Sequence, residues 1–424
     1  MKRRSFIKRV AAAGAVTLLP AGAVAPLVLG GCESGHPSAG GWDFDEVIDR
    51  SGTWSIKYGR AGKDRFAMWI ADMDFRTDPA VKQALQERLD RDVMGYTSAP
   101  EAFFEVIRAW EGKQHGWAIP REWVGYAPGV ITAINQAYLT FTRPGDKVIV
   151  QPPVYDHFRM YAERLGREVV DNPMRFENGR YRMDFEGLER LFDEKTKLLV
   201  LCNPHNPCGI LWYRETLQTL ADICERHGVI VVSDEIHADL ALYGKTHIPF
   251  CSVSDAAARI GLIFGGPTKA FNLAGLSGTA FCVIPDLEKR EKYLGTLRAA
   301  KLGEPSIPTL VSTIAAYTSE SGWLPALKEY LQGNIGCVMD FFRENPLGIS
   351  PIRPEASFLV WLDCRALGLP QEQLMEQFRE KAGVFLSNGA SYGQGGEGFV
   401  RLNVGCPRSV LLAALESVKR AFQR

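Results

Sequence analysis

The chain has 424 residues, 46% hydrophobic and 23% charged, with 49 basic and 49 acidic side chains. That composition suits an ordinary globular fold with a large core and two domains. Five basic groups (Lys2, Arg3, Arg4, Lys8, Arg9) and no acidic one fall in residues 1–31, so the remainder is net negative and offers no basic face for nucleic acid.

Residues 1–31 read as an address. Arg3-Arg4-Ser5-Phe6-Ile7-Lys8 matches the twin-arginine export pattern, and an Ala/Val/Leu-rich stretch broken by Pro20 and Pro26 follows. Leu29-Gly30-Gly31-Cys32 resembles a bacterial lipobox, which places cleavage before Cys32 and lipid on its sulfur. An uncleaved membrane helix is the competing reading, and the two prolines and the small residues before Cys32 disfavour it. Residues 32–41 are polar and Gly/Ser/Pro-rich, as a flexible tether would be. The expected location is therefore the periplasmic side, with the lipid anchor as the only membrane contact. Of nine cysteines, the eight beyond Cys32 are scattered, several in apolar runs (Cys202, Cys224, Cys282), which predicts buried free thiols. Cys202 and Cys208 around His205 match no zinc spacing, and no metal is expected.

Residues 42–62 are short and mixed, and are expected to pack against a C-terminal small domain. Thr77-Asp78-Pro79 opens a helix over Ala80 to Arg91 with helical spacing at Val81, Leu85 and Leu89. Pro128-Gly129 permits a tight turn into a second helix over Val130 to Tyr138. Free N–H groups at such a helix start bind phosphate.

From Arg143 to Ile284 strands and helices alternate, as in a doubly wound sheet. Lys147–Val150, Leu198–Leu201, Val229–Val232 and Gly261–Phe264 are short, continuously apolar runs, as strands covered on both faces are. They lead into Gln151-Pro152-Pro153-Val154-Tyr155, Cys202-Asn203-Pro204-His205-Asn206-Pro207, Ser233-Asp234-Glu235-Ile236-His237 and Gly265-Gly266-Pro267-Thr268-Lys269. Ligands bind at the carboxyl ends of such strands, so Tyr155, Asn206, Asp234 and Lys269 can meet at one sheet edge. A lysine on the lip of a buried strand is desolvated, which lowers its pKa and frees the amine as a nucleophile.

Beyond Pro305 the chain is mostly helical, then αβ. Ser357–Leu362, Gly383–Leu386 and Gly398–Leu402 read as strands of a small domain, and Gln371–Lys381 as a helix. Arg401 alternates with apolar neighbours, which suits a cleft-facing guanidinium forked onto a carboxylate. Ser391 to Gly396 is a Gly-rich loop and no phosphate cradle, and there are no internal repeats. The expected division is a large domain over 63–320 and a small one over 321–424.

Seven segments occur in the order of one known family: Ala71-Asp72-Met73-Asp74-Phe75, Pro128-Gly129-Val130, Pro153-Val154-Tyr155, Asn203-Pro204-His205-Asn206-Pro207, Ser233-Asp234-Glu235-Ile236-His237, Lys269-Ala270-Phe271-Asn272 and Arg401-Leu402-Asn403. In these the chain resembles the fold-type I pyridoxal-phosphate enzymes, and within them the MalY/PatB-like cystathionine β-lyases (C–S lyases) of the class I/II aminotransferases. The resemblance covers nearly everything from Trp42 onward. It implies an α/β fold, with a mostly parallel doubly wound sheet in a large domain and a smaller α/β domain. It also implies pyridoxal 5'-phosphate as cofactor, with Lys269 as its Schiff-base lysine.

By the same resemblance, Asp234 pairs with the pyridine nitrogen and keeps it protonated, which makes the ring an electron sink. Asn206 and His237 reach the ring's phenolic oxygen, and Tyr155 stacks on the ring with Ile236 against its other face. Gly129 and Val130 amides, Thr268, and Tyr96 from the second subunit of a homodimer hold the phosphate. Arg401 reads the substrate carboxylate. Most aminotransferases have Tyr in place of His237, which favours the lyase branch. They also carry an Arg eight positions after the lysine, where this chain has Ser277. The implied reaction is cleavage of cystathionine or a cysteine-type S-conjugate to thiol, pyruvate and ammonia. An amino-acid aminotransferase would share every residue named, and a non-catalytic binding or regulatory protein on the same fold is the third reading.

Overall fold

The computed structural model describes residues 41–62, 65–276 and 278–423. The export segment 1–31, the lipidation residue Cys32 and Ser277 lie outside the described residues. Among the described residues, no helix is long and apolar enough to cross a membrane.

Seven strands form the central sheet: β1 (Val124–Ala127), β2 (Lys147–Val150), β3 (Glu168–Asp171), β4 (Thr196–Cys202), β5 (Ile230–Asp234), β6 (Gly261–Gly265) and β7 (Ala280–Val283). Their spatial order is β1-β7-β6-β5-β4-β2-β3. All neighbours pair parallel except β7, which is antiparallel to both β1 and β6. The runs are apolar throughout because both faces are covered. Val148, Val150, Leu198, Val200, Val232, Leu262 and Phe264 point to one face, where Ala133 and Tyr138 of helix α1 (Val130–Phe141) and Phe158 of helix α2 (His157–Arg164) cover them. Ile149, Leu199, Leu201, Val231 and Ile263 point to the other and join a core that continues from Phe44 to Val418. A second, antiparallel sheet carries Ser350–Ile352, Leu359–Asp363, Phe399–Asn403 and Ser387–Asn388, in that spatial order. The eight described cysteines are buried and free.

Some expectations shift. The first predicted helix runs Pro79–Leu89, with the Asp78 side chain accepting from the Ala80 amide. Of its three predicted core positions, Val81 is buried, Leu85 half-buried and Leu89 exposed, so it lends the core one turn only. Val384–Phe385 stays out of the small sheet and pairs parallel with Phe66–Ala67. The left-handed turn at Gly383 (φ 67) precedes it.

Between the two sheets lies a strap, residues 69–75, outside any strand or helix. Carbonyls shielded from water need donors, and here, apart from the Asp72 amide on Ile70 O (3.0 Å), they are side chains from other elements. Trp69 O accepts from Arg401 Nη2 (2.7 Å) and Ser387 Oγ (2.7 Å). Asn403 Nδ2 serves Ile70 O and Asp72 O, both at 2.7 Å. Ala71 O accepts from Lys269 Nζ (2.6 Å), and Lys57 Nζ adds a bond to Asp72 O (3.1 Å). Asn272 donates to Met73 O (3.0 Å) and Phe75 O (2.9 Å) and accepts from the Met73 amide (3.0 Å). Lys57 is buried, and although burial works against its charge, Asp74 (2.9 Å) and Asp72 (3.5 Å) hold its pKa above the ordinary value.

Candidate active site

Lys269 sits just past the end of β6. A Cβ on Gly266 would lie 2.4 Å from Thr279 O, so only glycine lets the chain leave the strand there. Bonds from the Phe271 amide to Pro267 O and from the Leu273 amide to Thr268 O then close a helical turn around the lysine. Its amine points inward onto Ala71 O. Burial and then the Arg401 charge lower its pKa to about 8, against the opposing pull of Asp72 and Asp234. This is the desolvated amine that the strand-end position predicts.

Asp234 ends β5, buried, and accepts from the Ile236 amide at 3.1 Å. Burial raises its pKa to about 7, while that amide and the Lys269 charge pull it down. The carboxylate therefore lacks a close cation from the protein itself, and a protonated ring nitrogen is a group that would supply one. His237 is buried, and its Nδ1 has no protein partner. Burial and the charges of Lys269 and Arg401 push its pKa well below the usual range, so it is a neutral imidazole.

Asn206 Oδ1 accepts from Arg401 Nη1 at 2.8 Å, which ties the loop after β4 to the small sheet and leaves the amide NH₂ for a ligand. Arg401 is buried at the centre of its strand, with Nη2 on Trp69 O and Ser387 Oγ and with Nε unpartnered. The Tyr392 ring lies 5.3 Å from its Cζ. Tyr155 is half-buried and close enough to feel Arg401 and Asp234 electrostatically.

Gly129 (φ 91) is the N-cap of α1, with no side-chain cap and no acidic residue in the first turn. A Cβ there would lie 3.8 Å from the Gly278 amide, and one on Gly278 would meet the Tyr126 hydroxyl at 2.8 Å. A helix start and a glycine loop thus face each other, which is the setting an anionic group needs. Thr268 stands at the rim, its hydroxyl bonded to Thr279 O (2.8 Å) and Thr279 Oγ1 (2.7 Å). Tyr96 is fully exposed and takes no part in this chain's own site. Lys269, Asp234, His237, Asn206, Arg401 and Tyr155 thus converge, with Gly129 and Val130 beside them. Sequence reasoning passed over the clamping roles of Asn272 and Asn403, although both lie in motifs it singled out, and over Tyr126 and Tyr392.

A lysine, a buried carboxylate and a helix start at the carboxyl ends of a doubly wound sheet define a class, the fold-type I pyridoxal-phosphate enzymes. A family model described as aminotransferase class I and II matches residues 68–418, and the chain belongs to that family, in its MalY/PatB-like branch. It is 42% identical over 386 residues to the cystathionine beta-lyase PatB of Bacillus subtilis, covering 90% of this chain and 100% of the relative. It is 35% identical to protein MalY of Escherichia coli, covering 87% and 96%. The PLP-bound C-S lyase from Staphylococcus hominis superposes with a TM-score of 0.84 at 30% identity, over 90% of this chain and 99% of that one.

Only the neutral amine is nucleophilic, so labelling of Lys269 by an acylating reagent should rise with pH through a midpoint of about 8. Peptide mapping across the alkaline range measures it. A midpoint near the ordinary lysine value of about 10.4 would contradict a desolvated amine.

Proposed function

We propose that this protein is a pyridoxal-phosphate-dependent C–S β-lyase. It takes a small amino acid bearing sulfur on Cβ and, with one water, yields a thiol, pyruvate and ammonia. The observation that carries the reading is the opposition of Lys269 and Asp234 across one sheet edge, in a chain related over nearly its full length to cystathionine β-lyases.

The residues present fit the cofactor. Asp234 is a buried carboxylate short of a cation, His237 Nδ1 is a buried orphan, and the α1 start is uncapped. Lys269 would anchor it, Asp234 would face its ring nitrogen, and Asn206 and His237 its phenolic oxygen. Tyr155 would cover one face, and Gly129 and Val130 would receive the phosphate, with Thr268 at the edge. When bound, the cofactor supplies an electron sink for the pair left at the substrate Cα.

The chain's own groups do the rest. Arg401 holds the substrate carboxylate, and its unpartnered Nε and its fixed Nη atoms set the substrate's orientation. Lys269 Nζ, neutral in part near pH 8, removes the Cα proton. The Cβ–S bond then breaks with its electron pair on sulfur, and the departing thiolate takes up a proton. Neutral His237 adds no further positive charge beside Lys269 and so leaves that amine basic enough to take the proton.

Incubation of the purified protein and pyridoxal phosphate with cystathionine should release pyruvate and free thiol in equal amounts. Keto-acid-dependent amino transfer without thiol would overturn the lyase reading in favour of an aminotransferase.

The large (63–320) and small (321–424) domains, the homodimer and the export route belong to the same proposal. Exposed Val93, Met94 and Tyr96 form a short apolar run, which supports a dimer contact that carries Tyr96 to the neighbouring phosphate. Arg3-Arg4 and Leu29-Gly30-Gly31-Cys32 support twin-arginine export and a lipid on Cys32. Replacing Arg3 and Arg4 together with Lys should retain the protein inside the cell, read by fractionation and N-terminal mass analysis. Envelope protein that still begins at Met1 would refute the lipobox.

A further inference from the structure

An aromatic ring offers a planar ligand two faces, and in Tyr155 one of them is already taken. The His157 imidazole lies parallel to the Tyr155 ring, with centroids 4.6 Å apart and an interplanar angle of 3°. Phe158 meets the same tyrosine edge-on, at 5.6 Å and 87°. His157 is itself held. Its Nδ1 is 2.7 Å from Asp156 Oδ1, and the Tyr161 ring, one turn along α2, packs at 5.6 Å. The backbone reinforces the arrangement, because the Phe158 amide donates to Tyr155 O (3.2 Å) and the Val154 amide to Tyr392 O (2.8 Å).

We infer that His157, oriented by Asp156, is a positioning residue that backs Tyr155 and presents that ring's remaining face to the cofactor. The inference rests on the proposed pyridoxal-phosphate site. A tyrosine on a loop must lose side-chain freedom to stack on a ligand, and a ring that is already pinned has less to lose. The Asp156–His157 pair is half-exposed, so its charge attraction counts for little. Its effect is geometric: it sets the tilt of the imidazole, and the imidazole sets the tilt of Tyr155. Stacked aromatic pairs contribute enough beyond their buried area to change a dissociation constant by about two- to tenfold.

The test is a titration of the full-length folded protein with pyridoxal phosphate, followed by the near-visible circular dichroism of the bound cofactor. The variants are His157→Ala, His157→Asn and His157→Phe. Ala removes the plate, Asn keeps a hydrogen-bond donor for Asp156 without a ring, and Phe keeps the ring without the donor. Ala and Asn should each weaken binding about two- to tenfold and reduce the dichroic signal. Phe, which keeps the plate but not the bond that sets its tilt, should recover most of the binding and only part of the dichroic signal. Thermal unfolding of each cofactor-free variant separates a folding defect from a binding one. Unchanged binding in Ala, or a Phe variant as weak as Ala, overturns this inference while the cofactor reading stands. Failure of the unaltered protein to bind pyridoxal phosphate overturns both.

Discussion

Five consecutive carbonyls, from Trp69 to Met73, are the constraint on which the site depends. They lie in half-buried, irregular backbone outside any ladder, so their donors must come from elsewhere. Arg401, Asn403, Lys269, Lys57 and Asn272 supply them. Two of those donors, Lys269 and Arg401, are also the groups that would anchor the cofactor and read the substrate. The strap therefore joins the large sheet's catalytic end to the small sheet, and it fixes both cations relative to one another through a single piece of backbone. Ala71 O takes its bond from Lys269, and a carbonyl left without a donor costs about 1–3 kcal/mol; Trp69 O and Asp72 O each have two side-chain donors.

Charge is arranged around this frame with equal economy. Burial, and then the Arg401 charge, lowers the proton affinity of Lys269, and burial together with both charges keeps His237 neutral. Asp234 faces the opposite problem: buried with one amide donor, it sits near pKa 7, and a protonated ring nitrogen beside it would draw that value back down. The site thus holds its groups in the protonation states that a pyridine ring would complete. The sign of each effect follows from burial, which neighbouring charges and, at Asp234, the Ile236 amide modify.

Much of this was legible in the sequence, and the reason is periodicity. β2, β4, β5 and β6 are apolar on both faces, so they stand out as continuous runs, and the residues just beyond them, among them Asn206, Asp234 and Lys269, fall at one edge. The strap has no period and no propensity signature. Asn272 reaches Met73 across 199 positions, and Asn403 reaches Ile70 across 333. Nothing local in either asparagine reveals the carbonyl it serves. Tyr155 was legible as a ring at a strand end, but its pairing with His157 depends on a rotamer and on the start of α2. The bond between the Thr268 hydroxyl and Thr279 was not legible, because it arises where β6 and β7 run side by side and bring the two threonines together. Gly383–Leu386 reads as a strand, and Val384–Phe385 forms one, but its partner Phe66–Ala67 is too short and too distant in sequence to be read from pattern.

The claim that the strap sets the active geometry is tested most directly by kcat/KM for thiol release in Asn403→Ala, measured well below that variant's own melting temperature. Asn403 donates to Ile70 O and Asp72 O, on either side of the carbonyl that holds Lys269. If the strap positions Lys269 and Arg401, kcat/KM should fall about ten- to hundredfold in folded protein, since a displacement near 1 Å at the reacting groups has that effect. A variant that melts earlier yet turns over at the original rate would show that the strap only stabilises the fold, and would contradict the account.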